Sequence, residues 1–341
     1  MEKIGILTGG GDCPGLNPVI RAVQRCAARE GWQVLGFRYG WKGVIENEFV
    51  ILDSQAVSGI LPKGGTILGT SRTNPYSKDG DVDRVKNTFT KNQLHALVAI
   101  GGEDTLGVAN KLSKEGLPIV GVPKTIDNDL NCTDYTFGFD TALNVAMECI
   151  DRLHTTAESH NRVIVVEIMG RHAGWITLEA GIAGGADVIL IPEIPIDINE
   201  VCDLIAGRHK RGKTFSIVAV SEGAQLAGQD VTQTQEKDAF GHVRLGGIGN
   251  TLAKMIEEKT GFETRVTVLG HIQRGGSPTA FDRVLGTRFG VKAIELVKNR
   301  KFGCMVSLNG RKIEAVQLEE ALGSLKLVPQ DYYNTAKVFF G

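Results

Sequence analysis

The sequence predicts an α/β protein built as two doubly wound, Rossmann-like lobes, with ligands held in the cleft between them. Three observations carry this expectation. Short apolar runs alternate with helical periods along almost the whole chain, the pattern of strands fed by crossover helices. Glycine is the compositional outlier, at 43 of 341 residues with no low-complexity tract, against an average near ~7%. A glycine-rich turn follows an apolar run at Thr8, Gly101, Met169 and Gly270, and open α/β sheets bind their ligands beyond the carboxyl ends of strands. The length leaves room for about two domains at ~150 residues each. Residues 1–138 with about 253–303 are expected in one lobe, and 139–252 with about 304–341 in the other.

In chain order, Ile4–Leu7 reads as a strand that opens into TGGGDCPGLN, Thr8–Asn17. The helix that follows points Val19, Ile20, Val23 and Ala27 inward, and Gln33–Phe37 is a second strand. From Tyr39 to Thr73 the chain is glycine-rich and irregular, and Asp81–Lys91 is helical. An apolar run then breaks on Gly101-Gly102, an amphipathic helix begins at the Glu103-Asp104 pair, and Pro118–Val122 leads into Lys124-Thr-Ile-Asp-Asn-Asp129. A long helix over Thr141–Ser159 precedes strands at Val163–Ile168, Val188–Ile191, Phe215–Val220 and Arg265–Leu269. Asn199–Lys210, Gly249–Lys259 and Phe281–Lys298 carry helical periods. Ala224–Arg244 reads as a long loop or lid, and Met305–Val328 as a mixed, peripheral tail.

The glycine turns have the chemistry of anion cradles. TGGGDCPGLN lets backbone N–H groups approach an anion at a helix start. It lacks the GK[ST] of a Walker A loop, and Pro14 breaks GxGxxG. A tight turn with Pro14 as helix starter is the plainer reading. In GGEDTLG, Glu103 and Asp104 either cap the helix or hold a divalent ion that carries phosphate oxygens. KTIDND places Asp127 and Asp129 on one face of an extended segment, able to hold Mg²⁺ or to take a hydroxyl proton; Asp and Asn are also common turn formers. Arg72, Arg162, Arg171, Arg265 and Arg274 recur beside strand ends or glycine turns, and the guanidinium fork suits phosphate esters. His271 is either a donor to a polar ligand or a buried structural histidine. RHKRGK, Arg208–Lys213, is a basic helix end or, alternatively, an effector-anion site. His154 and His160 lack metal-ligand spacing. Two anion loops, paired carboxylates and several arginines together make a phosphoryl-transfer inventory, in which positioning and charge neutralisation do most of the catalysis.

Composition excludes other classes. A net charge of −1 gives no nucleic-acid footprint and no attraction to anionic membranes. The six scattered cysteines form no CxxC or zinc pattern, which fits a reduced, cytoplasmic setting. The N-terminus shows no signal peptide, and no run approaches the ~18 apolar residues of a membrane span.

TGGGDCPGLN, GGEDT, PKTIDND, EIMGRHAGW, SEG and LGHIQRGGSP, in this order and spacing across roughly residues 4–290, resemble the phosphofructokinases. The last fifty residues add little to the match. The resemblance implies a donor lobe, a fructose 6-phosphate lobe, and phosphate transfer to the sugar's 1-hydroxyl. Asp127 then matches the base, with Thr125, Asp129, Lys124 and Arg171 beside it. Met169, Gly170, Arg171, Glu222, His271 and Arg274 match sugar-phosphate contacts, alongside Thr125 and Asp127. Gly10, Gly11, Arg72 and Gly102 match donor-phosphate contacts. Arg162 and Arg265 match arginines that reach the 6-phosphate from a neighbouring subunit, implying a homodimer or homotetramer. Mg²⁺ is the implied cofactor, with Glu103 as its residue here.

Two departures bear on the donor. ATP-using members usually read GGDGS where this chain reads GGEDT, so Glu103 replaces the metal-linked Asp and Asp104 replaces a glycine. They commonly read PGTIDND where this chain carries Lys124. A carboxylate at 104 would occupy and repel the place of a nucleotide α-phosphate, and a lysine at 124 adds positive charge for a donor without adenosine. The pair resembles the pyrophosphate-dependent subclass. An ATP-dependent kinase with an effector site around Arg21, Arg25, Arg211 and Lys213 is the alternative, and a silent sugar-phosphate or nucleotide sensor is a third reading.

Overall fold

The computed structural model describes residues 1–228, 234–237, 243–244 and 246–341. Residues 229–233 and 238–242 of the expected lid over 224–244 lie outside the described residues. Within it, Thr234–Lys237 and Val243–Arg244 pair antiparallel.

The first lobe opens with β1 (Lys3–Thr8), α1 (Leu16–Arg29) and β2 (Gln33–Phe37). The stretch expected to be irregular contains α2 (Trp41–Glu46) and β3 (Phe49–Leu52). Both are too short for a periodicity to show. Next come α3 (Asp81–Asn92), β4 (Leu94–Gly101), α4 (Glu103–Lys114) and β5 (Ile119–Thr125). A two-residue β6 (Phe137–Gly138) leads into α5 (Phe139–His160), whose 22 residues run about 33 Å at ~1.5 Å per residue.

The second lobe holds β7 (Val163–Ile168), α6 (Trp175–Ala183), β8 (Val188–Leu190), α7 (Ile198–Lys210) and β9 (Ser216–Ser221). After the pair β10 (Thr234–Lys237) and β11 (Val243–Arg244) come α8 (Ile248–Thr260), β12 (Thr264–Val268) and a 3₁₀ turn over Gly270–Arg274. The chain then returns to the first lobe through α9 (Ala280–Lys298), β13 (Cys304–Asn309), β14 (Lys312–Gln317) and α10 (Leu318–Ala321). It ends on α11 (Gln330–Lys337), where the Tyr333 hydroxyl donates to the Ile189 carbonyl in the second lobe.

Strand order in the large sheet is β14-β13-β5-β4-β1-β2-β3, with β6 beside β5. Its central strands are parallel, and β3 and β14 close the edges antiparallel. The order reverses between β1 and β4, the crevice where doubly wound sheets take ligands. The small sheet runs β12-β7-β9-β8, all parallel. Strands such as Val163–Ile168 are buried at every residue, as sheets covered on both faces require.

Sheet membership moves the expected lobe boundary. β12 pairs with β7, so the chain up to Val268 stays in the second lobe rather than leaving near 253. β13 pairs with β5 and β14 with β13, so the tail from Cys304 completes the first lobe's sheet instead of the second's. That tail was expected to be peripheral, yet Met305 and Val306 are fully buried. α9 leads into β13, which pairs parallel with β5, but that partner strand lies far earlier in the chain and no local pattern names it.

Candidate active site

Three neighbouring parallel strands of the large sheet, β1, β4 and β5, end together and deliver three loops to one cavity. Thr8 pairs with Ile100, Gly101 with Pro123, and the Gly9 N–H donates to the Ile100 carbonyl at 2.9 Å. The Thr70–Arg72 strand-like segment is strapped across: the Thr70 hydroxyl donates to the Gly10 carbonyl at 2.5 Å, and the Gly10 N–H to the Ser71 carbonyl at 3.2 Å. Opposite them, the ends of β12 and β7 bring Arg274, Arg171 and His172. Gly10, Gly11, Arg72, Gly102, Glu103, Asp104, Lys124, Thr125, Asp127, Asp129, Arg171 and Arg274 all line this one cavity. The lobes nearly touch there, since a Cβ on Gly11 would stand 2.5 Å from Arg274 Nη1.

Lys124 is the residue whose environment departs most from a generic expectation. A lone lysine is usually solvated, but this one is 5% exposed and its Nζ donates to the Gly11 carbonyl at 2.6 Å. Burial, with Arg274 adding to it, holds its pKa below the ordinary lysine value. One N–H is engaged on the loop. The ammonium therefore ties the first anion loop to the acidic loop and presents its charge to the cavity.

The carboxylates follow an opposite pattern. The Asp127 N–H is held by Thr125 Oγ1 at 3.1 Å. Burial raises the Asp127 pKa while Arg274, Lys124, Arg171 and His172 pull it down. Asp129 is pushed up to about 7 by burial and by the charges of Asp127 and Glu103. Glu222, at the end of β9, is likewise pushed up to about 7 by burial and by Asp127. Acids this crowded favour a cation or a proton among them.

That crowding has a stability consequence. A carboxyl whose folded pKa exceeds its unfolded value near ~4 contributes stability at low pH and loses it as pH rises through the folded pKa. For Asp129 and Glu222 the window runs from about 4 to about 7. Ligand-free protein should therefore melt a few degrees higher at about pH 6 than at about pH 7.5. A scanning-calorimetry series in which Asp129→Asn and Glu222→Gln together leave that slope unchanged would remove this attribution.

Other expected residues stand outside the cavity lining. Met169 is 8% exposed in the core, and Gly170, at φ 144°, accepts the Ser221 hydroxyl at 2.9 Å on its carbonyl. Both serve to turn the chain toward Arg171. His271 is exposed on the 3₁₀ turn, which sets aside the buried structural reading. Arg162 and Arg265 are not strand-end residues in the functional sense. They sit at the amino-terminal ends of β7 and β12, sharing Glu263, about 20 Å of strand from the cavity end for Arg162 and about 10 Å for Arg265 at ~3.3 Å per residue. The cavity also contains Asp12, Thr105 and His172, which were passed over although each lies inside a motif already singled out.

A metal is implied rather than seen. Among the described residues no three His, Cys, Asp or Glu side chains form a ready metal cluster. Mg²⁺ is ordinarily held by one or two carboxylates with substrate phosphates and waters completing its shell. Glu103 beside Asp129, whose proton affinity Glu103 itself raises, fits that donor set.

The profile of the family described as Phosphofructokinase matches residues 3–297. The chain belongs to the phosphofructokinase family. Among its relatives, a pyrophosphate–fructose 6-phosphate 1-phosphotransferase of Amycolatopsis methanolica is 56% identical over 341 residues, 99% of this chain and all of that one. An enzyme of the same description from Dictyoglomus thermophilum is 51% identical over 99% of this chain and 98% of its own. An ATP-dependent 6-phosphofructokinase of Mycobacterium tuberculosis (strain ATCC 25618 / H37Rv) is 54% identical over 99% of this chain and all of its own. In structure, Pichia pastoris phosphofructokinase in the T-state superposes with a TM-score of 0.85 at 32% identity over 99% of this chain, which spans 36% of that longer chain. The two-lobed phosphofructokinase fold expected from the sequence is therefore the fold observed. No helix among the described residues is long and apolar enough to cross a membrane.

Proposed function

We propose that this phosphofructokinase transfers a phosphoryl group from inorganic pyrophosphate to the 1-hydroxyl of fructose 6-phosphate, giving fructose 1,6-bisphosphate and phosphate, reversibly. The observation that carries the donor assignment is the buried Lys124, with its Nζ on the Gly11 carbonyl in the same cavity as Asp104. Pyrophosphate is small and highly charged, so a desolvated ammonium contributes more to holding it than a pocket for an adenine would. Asp104, in the first turn of α4, bars the direction in which a nucleotide would extend.

In this reading the glycine loops at Gly10–Gly11 and Gly102 bind the donor with Arg72 and Lys124. Asp127 takes the proton from the sugar hydroxyl as it attacks the near phosphorus. Thr125 holds Asp127 in place, and Arg171 and Arg274 neutralise charge on the transferring group. Met169, Gly170, Glu222 and His271 orient the sugar. Glu103, with Asp129 adjacent, would hold Mg²⁺, which when bound neutralises charge on the donor's oxygens. A steady-state assay with pyrophosphate and with ATP as donor tests the reading, and preference for ATP by kcat/KM would overturn it. The ATP-dependent reading stays in that test because of the 54% identical Mycobacterium tuberculosis relative.

Arg162 and Arg265 do not line this chain's own cavity, so their reading as 6-phosphate ligands requires a neighbouring copy in a homodimer or homotetramer. Two observations support it. β12 is an edge strand, and Val268, Ile272, Phe281 and Val284 on and after it are 52%, 65%, 41% and 59% exposed, an apolar strip of the kind interfaces cover. Arg162→Ala with Arg265→Ala should raise KM for fructose 6-phosphate at least tenfold, ~1.4 kcal/mol, with KM for pyrophosphate unmoved. Mixing this double variant with an Asp127→Asn variant should regain activity in hybrid oligomers. A strictly additive mixture would exclude the shared site. Cytoplasmic residence accompanies the proposal, in keeping with six free cysteines.

A further inference from the structure

We propose that Lys326 is a positioning residue for the transfer. Its ammonium and backbone lock the loop that carries Asp127 and Asp129 and tie it to the loop that carries Arg171. This rests on the reading of Asp127 as the base.

Lys326 lies where the C-terminal chain leaves the first lobe for the second. Its Nζ donates to Asn128 Oδ1 at 2.9 Å, to the Thr133 carbonyl at 2.8 Å and to the Asp134 carbonyl at 2.8 Å. An ammonium has three donors, and all three are spent on this one loop. The Lys326 N–H donates to the Asp129 carbonyl at 2.8 Å, and Leu130 bridges Leu325 antiparallel. Asn128 stands between the two aspartates at φ 52°, in the left-handed region, and is 2% exposed. Its Oδ1 accepts from both Lys326 Nζ and the Thr136 N–H. Non-glycine residues hold that conformation only when their surroundings fix it. Here the fixing groups are Lys326, at 2.9 Å, with Thr136 and the Asp134 carbonyl.

The other side of the residue faces the second lobe. The Lys326 carbonyl accepts from Trp175 Nε1 at 2.8 Å, and its ammonium stands 5.6 Å from the centre of the Trp175 ring. Two residues on, the Val328 N–H donates to Glu193 Oε1 at 2.9 Å, and the same carboxylate accepts from the Gly174 N–H. Gly174 and Trp175 end the turn that presents Arg171 and His172. One short tail segment thus sets the proton-accepting loop and the guanidinium-bearing turn at a fixed separation. Burial pushes the Lys326 pKa down to about 8 despite Asp134, Asp129 and Glu179 nearby.

Lys326→Met keeps the length and removes the donors. It should lower kcat in both reaction directions about 10- to 100-fold with KM for pyrophosphate and fructose 6-phosphate within about threefold, because a misplaced base costs turnover rather than binding. Aminoethylation of Lys326→Cys, with alkylated wild type as control, should restore most of kcat. A kcat within twofold of wild type, or a loss confined to KM, would overturn the assignment. Should Lys326→Met fail to fold, Trp175→Phe keeps an aromatic side chain of smaller size and deletes the donor to the Lys326 carbonyl. It should still lower kcat severalfold at unchanged KM, and a wild-type kcat there overturns the proposal. Asp127→Asn separates the two readings. If it loses turnover while the Lys326 variants do not, only the positioning role fails; if it keeps turnover, the base reading fails first.

Discussion

Asp127→Asn should lower kcat about 10³-fold while leaving KM for both substrates within about threefold, a loss in the range assigned to a positioned general base. The argument is geometric before it is electrostatic. The residue follows the last position of β5, its N–H is fixed on Thr125 Oγ1 at 3.1 Å, and its carboxyl lines the cavity with Arg171 and Arg274. Burial raises its proton affinity while four cationic or polarisable neighbours lower it. A base needs that balance, remaining ionised at working pH yet willing to accept a proton. Asparagine keeps the shape and cannot take the proton. The acid limb of the wild-type kcat profile should accordingly lie above the ordinary Asp range. A fall in kcat of less than tenfold would show that Asp127 only binds, and Asp129, pushed up to about 7, would become the candidate.

Most of this site is readable in the chain because each part is local. Gly10, Gly102, Asp127 and Arg171 sit just beyond an apolar strand and Lys124 at the end of one, and parallel order brings strand ends together. Glycine turns and strand alternation are short-range signals, and the doubly wound arrangement does the rest. Asp12, Thr105 and His172 reach the cavity from within the same glycine-turn motifs. Arg162 and Arg265 show the converse. They adjoin strands at the amino-terminal ends, opposite the carboxyl ends where doubly wound sheets hold ligands, so strand direction alone sets them apart from the cavity.

Lys326 and the β13–β14 hairpin were not legible for a different reason. Their partners are 192 to 198 residues away for the Lys326 ammonium, and no motif spans that distance. The hairpin completes a sheet whose other strands are already paired. The Ser307 hydroxyl donates to the Cys132 carbonyl and the Gly310 N–H donates to Asp134 Oδ2 at 2.6 Å. Those contacts buttress the acidic loop from outside. Tertiary packing, not propensity, assigns such segments their role.

Donor choice is the second large effect, and it should reside in two residues. Lys124→Gly should lower kcat/KM for pyrophosphate about 100-fold, the ~2.7 kcal/mol expected when a desolvated charge partner is lost, with KM for fructose 6-phosphate little changed. The buried ammonium holds the Gly11 carbonyl at 2.6 Å; its removal both deletes charge and frees the anion loop. Lys124→Met would keep the bulk of the stem while removing both the charge and the donor to the Gly11 carbonyl, so it separates those losses from the opened space that Gly also leaves. Asp104→Gly alone should open the α4 end of the cavity without supplying anything to hold a nucleotide, so ATP use should rise modestly. Asp104→Gly with Lys124→Gly should raise the ATP-to-pyrophosphate ratio of kcat/KM by more than the product of the single changes, because both residues line one cavity and neighbouring sites couple. If Lys124→Gly instead alters KM for the sugar and leaves pyrophosphate turnover intact, Lys124 belongs to the acceptor. In that case Asp104, at the start of α4, would have to discriminate donors alone.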